Sequence, residues 1–423
     1  MSPEFLANNR VLECLERAAT AAIEDADYRL LCAAGAVGSR PGIDERLAFL
    51  RSVYPDFERL RAQMSVSSTL LVPLWRWWLP LVLDIERQVQ GCFVQGVLGG
   101  QGSGKTTLGR VLTLLLAHRG LQAVSLSLDD IYLTWPERER LRERYPEVVR
   151  RGPPGTHDIG LGLRTLCDLK AMTPGGHVWV PRFDKSAHGG QGDRFAWVDL
   201  VPGMQLVARV KEDVLVLEEL NLWGLPIPLP THMGSPLSQS ELIGSGAWEP
   251  GTQVEFVCER AGWIEVLAPG YSSQIERARF RTGWSLVTGK VDVVLFEGWF
   301  VGVRPLSVRL DEPLTRLAND RLAEYLPLWD LVDRLLVLQP ADYGFSKGWR
   351  REAEQKRTVR GEEGMTDAEI DEFVEYFWRA LPPELFVEPL TRDPRLVDLV
   401  ATIGADRFPT LIYRPGAGYP WGF

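Results

Sequence analysis

The stretch GGQGSGKT at residues 99–106 decides the fold of this chain. It fits the pattern G-x-x-x-x-G-K-[ST], follows the apolar run CFVQGVLG and opens the helix-like stretch TTLGRVLTLLLAHRG. A glycine-rich turn between a strand and a helix lets backbone N–H groups converge on a phosphate, and the positive helix end strengthens the field. The pattern therefore predicts a phosphate-binding loop. Its predicted nucleotide-binding residues are Gly99, Gly100, Gln101, Gly102, Ser103, Gly104, Lys105, Thr106 and Thr107.

Two side chains of this loop carry chemistry. A lysine at the position of Lys105 reaches the β- and γ-phosphates, and a hydroxyl at the position of Thr106 binds Mg²⁺. A plain glycine-rich turn is the alternative, but the flanking strand and helix favour the phosphate site. The sequence therefore predicts ATP and Mg²⁺ as cofactors, with Lys105 as a catalytic residue.

The order of apolar runs around the loop predicts the fold class. CFVQGVLG, the helix-like stretch and QAVSLSLDD form a strand–helix–strand pattern, which requires a parallel sheet with right-handed crossovers. We therefore predict an α/β P-loop fold with a parallel sheet flanked by helices, although the loop alone does not distinguish kinases from GTPases or motor proteins. The P-loop domain is predicted to comprise residues 91–198 and 285–423.

Two further regions differ in pattern from this core. Residues 1–90 show apolar positions at helical spacing, and Trp75, Trp77 and Trp78 lie in the last helical stretch. We interpret these tryptophans as covering the sheet, although a stacking surface for a base is the alternative. Residues 199–284 alternate in short stretches such as QLVARV and TQVEFVCE, which predicts an inserted small all-β module.

Carboxylates follow two of the predicted strands. SLSLDDIYL places Asp129 and Asp130 at the carboxyl edge of the sheet, where ligand sites of α/β proteins form. One carboxylate there can accept the proton of an attacking hydroxyl, and the pair can hold Mg²⁺-bound water. Glu297 ends the apolar run VDVVLFEG and can hold metal-bound water too. In both places an acidic residue that caps a turn is the alternative. The predicted metal ligands are Thr106, Asp129 and Glu297.

Cations are concentrated in two Gly- and Pro-rich stretches, RRGPPGTHDIG and VPRFDKSAHGGQGDR. The chain has a net charge of -9, so an anionic ligand needs such a local cluster. Arginine forks and a lysine suit a substrate that carries a carboxylate, while a solvated loop charge is the alternative for any one residue. The predicted substrate-binding residues are Asp130, Tyr132, Arg151, His157, Asp158, Arg182, Asp184, Lys185 and Arg194.

A basic helical stretch, SKGWRREAEQKRTVRGEEG, follows later in the chain. Such a run is often a solvated face, but in a phosphotransferase it can be a lid that closes over the phosphates and excludes water. If the stretch is a lid, we expect Arg350 and Arg351 to contact the nucleotide.

These motifs resemble a known family. GGQGSGKTTL, SLDDIYL, RGPPGTHD, VPRFDKSAHGGQGDR, VDVVLFEGWFVG and GWRREAEQKR occur in the order seen in D-glycerate 3-kinases of the plant, fungal and cyanobacterial type, which are related to phosphoribulokinase, uridine kinase and pantothenate kinase. The resemblance implies phosphorylation of D-glycerate by ATP in photorespiration or glycerate salvage. It further implies that Asp129 activates the acceptor hydroxyl and that the basic helix is a lid.

The chain departs from this family in one place. About ninety residues separate GQGDR from the strand that ends in EGW, where the family has a short connection. Within them, PGTQVEFVCERAGWIEVL resembles a bacterial Src-homology-3-like barrel. The insert offers a site for regulation or for a protein partner, and a tolerated surface insertion is the alternative.

Composition excludes several other classes of protein. The acidic balance argues against nucleic acid and anionic membranes as partners, and no run approaches the ~18 apolar residues of a membrane helix. Five scattered cysteines and the absence of a secretory signal indicate a reduced, cytoplasmic protein. Two other functions stay open: a kinase for a nucleoside or pantothenate, and an ATP-binding regulator without catalysis. The combination of Lys105, Thr106, Asp129 and Glu297 speaks against the second.

Overall fold

The structure is a computed structural model that shows an α/β fold. It describes residues 3–35, 40–185, 187–194, 196–199, 203–211, 214–222, 225–228, 237–238, 248–260, 263–276, 279–282, 284–359 and 365–417. The α-helices are α1 (Pro3–Thr20), α2 (Asp25–Gly35), α3 (Arg40–Met64), α4 (Leu71–Pro73), α5 (Leu79–Gln88), α6 (Lys105–His118), α7 (Trp135–Arg144), α8 (Ile159–Ala171), α9 (Pro313–Leu322), α10 (Leu326–Trp329), α11 (Phe345–Val359), α12 (Asp367–Ala380) and α13 (Pro383–Phe386).

Shorter turns and the strands complete the chain. A π-helical turn covers Leu74–Trp78, and 3-10 turns cover Ser68–Leu70, Leu128–Ile131, Ala323–Tyr325 and Leu390–Arg392. The strands are β1 (Phe93–Gly99), β2 (Ala123–Ser127), β3 (His177–Pro181), β4 (Ala196–Asp199), β5 (Met204–Lys211), β6 (Val214–Leu222), β7 (Leu225–Pro228), β8 (Leu237–Ser238), β9 (Gln253–Arg260), β10 (Trp263–Ala268), β11 (Tyr271–Glu276), β12 (Arg279–Thr282), β13 (Trp284–Thr288), β14 (Val293–Gly298), β15 (Arg334–Pro340), β16 (Leu399–Ile403) and β17 (Pro409–Tyr413).

The central sheet has the order β17-β16-β15-β1-β14-β2. Five strands are parallel, as predicted, but β17 runs antiparallel to β16, so the sheet is mixed. The Pro and Gly residues around β17 are typical of an irregular surface tail, yet Pro409–Tyr413 forms a strand. Only five residues connect β16 to β17, which is enough for a hairpin but too few for a crossover, so the last strand returns antiparallel at the edge.

Two apolar layers cover the faces of this sheet. Alternate residues of a strand point to opposite faces. Accordingly, Phe93 and Val97 of β1 pack with the N-terminal helices and α6, whereas Val94 and Leu98 pack with α8, α9 and α12. The tryptophans of the segment from Leu74 to Trp78 are buried in the first layer, which confirms that they cover the sheet.

The described residues of the insert form β-strands and turns. Strands β5 to β11 form an antiparallel sheet in the order β11-β10-β9-β5-β6-β7, with β8 beside β6. Its core includes the buried residues Leu206 of β5 and Phe256 of β9, which are paired with each other across these two adjacent strands. In the described part of the insert every regular element is a strand, as the all-β prediction expects, whereas a barrel of Src-homology-3 type is not confirmed. Its entry and exit strands, β4 and β12, pair with each other, so both ends of the insert lie side by side.

Two negative expectations concern membranes and disulfides. Among the helices that the structure describes, none has both the length and the apolar character needed to cross a membrane. No disulfide joins the five cysteines, all of which lie in described segments.

Candidate active site

The phosphate-binding loop lies between β1 and α6, as its motif predicted. Gly102 and Gly104 have φ angles of 74° and 92°, a left-handed conformation that glycine adopts at little cost. The Lys105 ammonium folds back over the loop and donates to the carbonyls of Gly99 at 2.7 Å and Gly100 at 2.9 Å. Burial lowers its pKa from the ordinary value, although the nearby Glu297 carboxylate opposes the shift.

Glu297 enters the site because β14 lies directly beside β1. Its carboxylate is 4.0 Å from the Lys105 ammonium, and burial raises its pKa. Both side chains line, with Thr106, a pocket of about 310 Å³. The Thr106 hydroxyl and the Glu297 carboxylate are oxygen ligands of the kind Mg²⁺ prefers, and Mg²⁺ usually takes few protein ligands beside phosphates. In the segments described, no group of three or more His, Cys, Asp and Glu side chains forms a self-sufficient metal site.

Asp130 is hydrogen-bonded and ion-paired to other groups of the protein. Its carboxylate accepts the backbone N–H groups of Ser127 at 3.0 Å and Phe183 at 3.2 Å, and it pairs with Arg182 at 2.9 Å. Asp130 and Arg182 therefore tie the end of β2 to the segment after β3. A contact of either side chain with substrate stays a prediction.

Asp129 has different partners. Its carboxylate is 2.5 Å from the Lys185 ammonium. Burial alone would raise its pKa, but Lys185, Tyr132 and the nearby Arg151 hold that pKa well below the usual range. Asp129 is therefore ionised at neutral pH, and cations surround it.

His157 and Tyr325 form a buried wall behind this carboxylate. The His157 ring stacks on Tyr132, with ring centroids 4.3 Å apart, and its Nδ1 is 2.7 Å from the Tyr325 hydroxyl. That hydroxyl also accepts the backbone N–H of Gly155. Burial lowers the pKa of His157 to about 3, so the ring is neutral, and its Nε2 has no hydrogen-bond partner.

The loop that carries Lys185 is closed at its base. The backbones of Asp184 and Asp193 pair as an antiparallel bridge. Arg151 donates to the carbonyl of Gly190 at 2.6 Å, and Arg138 donates to the next two carbonyls along the loop.

The remaining substrate candidates hold this loop against α8. Arg194 pairs with Asp158 at 3.3 Å. Asp158 also caps α8 by accepting the N–H of Leu161. These two predicted substrate residues therefore have structural partners, and their contact with substrate stays a prediction.

The basic helix α11 packs directly on the phosphate-binding loop. The Trp349 side chain lies so close to Gly102 that a methyl group added there would have its Cβ only 2.5 Å from the Cβ of Trp349, which leaves no room for it. Arg351 pairs with Asp371 of α12, and Arg350 pairs with Glu354 of its own helix, each at 2.5 Å. The predicted contact of these two arginines with the nucleotide would require both pairs to open, and it stays a prediction.

Arg407 and Tyr325 are site residues that the sequence analysis missed. Arg407 donates to the carbonyl of Gly102 at 3.1 Å and pairs with Glu352 at 2.7 Å. Each acts through a contact between distant parts of the chain, which no local pattern reveals. One signal was available for Arg407, because it follows the apolar run LVATI in a Gly-Ala-Asp turn at the carboxyl edge of the sheet.

The chain is similar in sequence to several known kinases. D-glycerate 3-kinase, chloroplastic, of Arabidopsis thaliana is 27% identical over 330 residues, covering 75% of this chain and 54% of that protein. A pantothenate kinase of Sinorhizobium medicae is 30% identical over 175 residues, covering 41% of this chain and 46% of that enzyme. The chain thus spans about half the length of each of these relatives. No family model matches it.

The solved structure of a D-glycerate 3-kinase from Cryptococcus neoformans shares the fold. It superposes with a TM-score of 0.51 at 21% identity, covering 80% of this chain and 96% of that one. The resemblance drawn from the motifs is therefore confirmed: the chain is similar to D-glycerate 3-kinases in sequence and in fold.

Proposed function

We propose that this chain is an ATP-dependent kinase that transfers the γ-phosphate of ATP to the 3-hydroxyl of D-glycerate. The observation that carries the proposal is the position of Asp129. It lies at the carboxyl edge of the sheet, in the same charge cluster as the phosphate-binding Lys105, and Lys185 lies 2.5 Å from it in an otherwise acidic chain. A base beside a cation suits an acceptor that carries both a hydroxyl and a carboxylate.

The nucleotide half of the reaction relies on the glycine-rich loop. Its backbone N–H groups and Lys105 bind the β- and γ-phosphates, and the lysine stabilises the charge that grows as the phosphoryl group leaves. Thr106 and Glu297 would hold Mg²⁺, which neutralises phosphate charge when bound. Helix α11 lies against the loop and excludes water from this side.

The acceptor half relies on Asp129 and its cations. Asp129 takes the proton of the 3-hydroxyl as that oxygen attacks the γ-phosphorus in line with the departing ADP, so no covalent enzyme intermediate is needed. Lys185 and Arg151 bind the carboxylate of the acceptor. The buried rings of Tyr132 and His157 fix the position of the base.

Pantothenate is the main alternative acceptor, because a relative carries that name. Pantothenate, like glycerate, carries both a hydroxyl and a carboxylate, so the comparison of the two substrates decides between them.

The test is an assay of ADP release with D-glycerate, L-glycerate, uridine and pantothenate. We expect D-glycerate to give a kcat/KM at least about tenfold above the other three, and phosphorus NMR to identify a 3-phosphate ester. The Lys105→Ala variant sets the background, because it removes transition-state stabilisation by roughly 10²-fold or more. Preference for uridine or pantothenate would reject glycerate as the acceptor, and activity that survives Lys105→Ala would reject the nucleotide site.

A further inference from the structure

The pair between Asp129 and Lys185 joins a fixed group to a movable one. Asp129 belongs to the turn Leu128–Ile131, which a capping box of Ser127 and Asp130 holds at its N-terminal end, and only 28% of its side chain is exposed. The Lys185 side chain is 64% exposed. A long, exposed lysine changes rotamer easily, whereas the capped carboxylate does not move without breaking its turn.

The backbone under Lys185 is held in place. Asp184, its neighbour, makes both hydrogen bonds of the bridge with Asp193, at 2.7 and 2.9 Å. The far side of the loop is tied down by Arg151 and Arg138 through the carbonyls of residues 190–192. Release of the ammonium from Asp129 therefore requires only side-chain rotation.

This pairing conflicts with the role of Asp129 as a base. In the structure the Lys185 ammonium lies 2.5 Å from the carboxylate, and a cation so close stabilises the charge of Asp129 and makes it a weaker proton acceptor for an attacking hydroxyl. A second anion within reach of the ammonium would relieve the conflict, because Lys185 can then exchange one carboxylate for another. An acidic acceptor brings that anion, and a neutral alcohol or water does not.

We propose that Lys185 is a cap on Asp129 that the carboxylate of the acceptor removes. The inference rests on the proposed function. In the capped state, water in the site is not deprotonated and ATP is preserved. When an acid binds, Lys185 turns to its carboxylate and frees Asp129. The acceptor oxygen then bonds to the γ-phosphorus, the bond from phosphorus to the bridging oxygen breaks, the electron pair leaves with ADP, and the proton goes to Asp129.

D-lactate tests the cap in the unmodified protein. It is D-glycerate without the 3-hydroxyl oxygen, so it supplies the carboxylate and leaves space for a water molecule at the point of attack. We expect saturating D-lactate to inhibit glycerate phosphorylation competitively and to raise ATP hydrolysis about fivefold or more. The neutral analogue 1,2-propanediol should leave hydrolysis unchanged. Competitive inhibition by D-lactate without any rise in hydrolysis would overturn the proposal.

Substitution of the lysine provides a second test. Lys185→Met should raise acceptor-free ATP hydrolysis about fivefold or more, because the cap is gone. For the same reason kcat/KM for the neutral acceptor glycerol should rise by a similar factor, whereas kcat/KM for D-glycerate should fall by about 30-fold because its carboxylate loses the ammonium. Lys185→Arg keeps the charge and should keep hydrolysis low. The matched control is Lys170→Met, which removes a lysine–aspartate pair of 3.0 Å at the amino end of the sheet.

The outcomes separate this inference from the proposed function. Unchanged or lower hydrolysis in Lys185→Met, with equal losses on D-glycerate and glycerol, would mean that Lys185 is not a cap. If Lys185→Met does not fold, the D-lactate measurement decides. If the wild-type protein prefers another acid to D-glycerate, the proposed substrate is wrong, and the comparison of hydrolysis between Lys185→Met and Lys185→Arg still tests the cap.

Discussion

Asp129 and Asp130 are neighbours in the chain but have different partners. Asp130 accepts two backbone N–H groups and Arg182, whereas Asp129 pairs with Lys185 in the open site. The motif SLDDIYL predicted a functional carboxylate here, and only the resemblance to a family singled out the first. Asp130 also caps its own turn through the N–H of Ser127, which is the alternative that the motif left open, but its partners Arg182 and Phe183 lie more than fifty residues away and no local pattern reveals them.

Matched substitutions separate the two aspartates. Asp129→Asn should lower kcat by roughly 10²- to 10⁴-fold, because it removes the base but keeps the shape. Asp130→Asn should cost about 1–3 kcal/mol of stability, because it leaves Arg182 without its charge partner. Steady-state kinetics and thermal unfolding measure both effects. A larger kcat loss in Asp130→Asn, without loss of stability, would reverse the assignment.

His157 makes the stability of the protein depend on pH. Its pKa is about 3 in the folded chain and about 6.5 when unfolded, so the unfolded chain takes up a proton that the native one does not. The stability that comes from keeping His157 neutral in the folded chain is fully present above pH 6.5 and is lost as the pH falls towards 3. Between pH 7.5 and 5.5 we expect His157 to account for about 1 kcal/mol of lost stability.

His157→Phe tests this expectation by thermal unfolding at the two pH values. The variant should lose less stability on acidification than the wild type, whatever its stability at pH 7.5. His177→Gln, at an exposed site on β3, is the control and should keep the wild-type pH dependence. Equal acid losses in His157→Phe and wild type would show that His157 already binds a proton in the native state.

At the scale of elements, contact between α11 and the phosphate-binding loop is a feature that sequence could not reveal. A Cβ at Gly102 would collide with Trp349, whereas a Cβ at Gly104 would meet nothing within 4 Å. Both glycines have positive φ, so an alanine at either position brings similar backbone strain. The difference between the two substitutions therefore reports the contact with α11 alone.

We expect Gly102→Ala to raise the KM for ATP about tenfold more than Gly104→Ala does, because α11 must move away from the loop. Initial rates over a range of ATP concentrations provide the comparison. Similar KM values for the two variants would mean that the position of α11 does not matter for nucleotide binding.

The sequence predicted the elements around the glycine-rich loop better than those near the C-terminus. β1, α6 and β2 have a motif and clear periodicity, and the structure confirms them. β15 and β17 were missed. The run RLLVLQP of β15 has no alternation, because it is buried on both faces, and the Pro and Gly residues around β17 resemble an irregular tail.

At the scale of the whole molecule, the insert is joined to the rest through one ribbon. Asp199 of β4 pairs with Arg279 of β12, so a two-residue Asn-Gly turn can replace residues 200–278 and close a hairpin. We predict that this variant folds and phosphorylates D-glycerate with a kcat within about tenfold of the full chain.

Kinetic constants for both substrates decide between two roles of the insert. Unchanged kinetic constants would identify the insert as an appended module. The predicted domain boundaries at residues 199 and 284 would then be correct. A steep rise in the KM for D-glycerate with ATP binding retained would instead make the insert part of the acceptor pocket, by way of the loop that carries Lys185.

The pairing of β1 has a consequence for how the protein is made. Phe93 pairs with Val293, and Gln95 pairs with Arg334, so both neighbours of β1 are synthesised about 200 or more residues later. At 5–20 residues per second, the nascent strand waits about 10 to 40 s on the ribosome. Helices α1 to α5 emerge first, and Trp75 packs in the same layer as Phe93. The N-terminal helices can thus shield the growing strand from aggregation until its partners arrive.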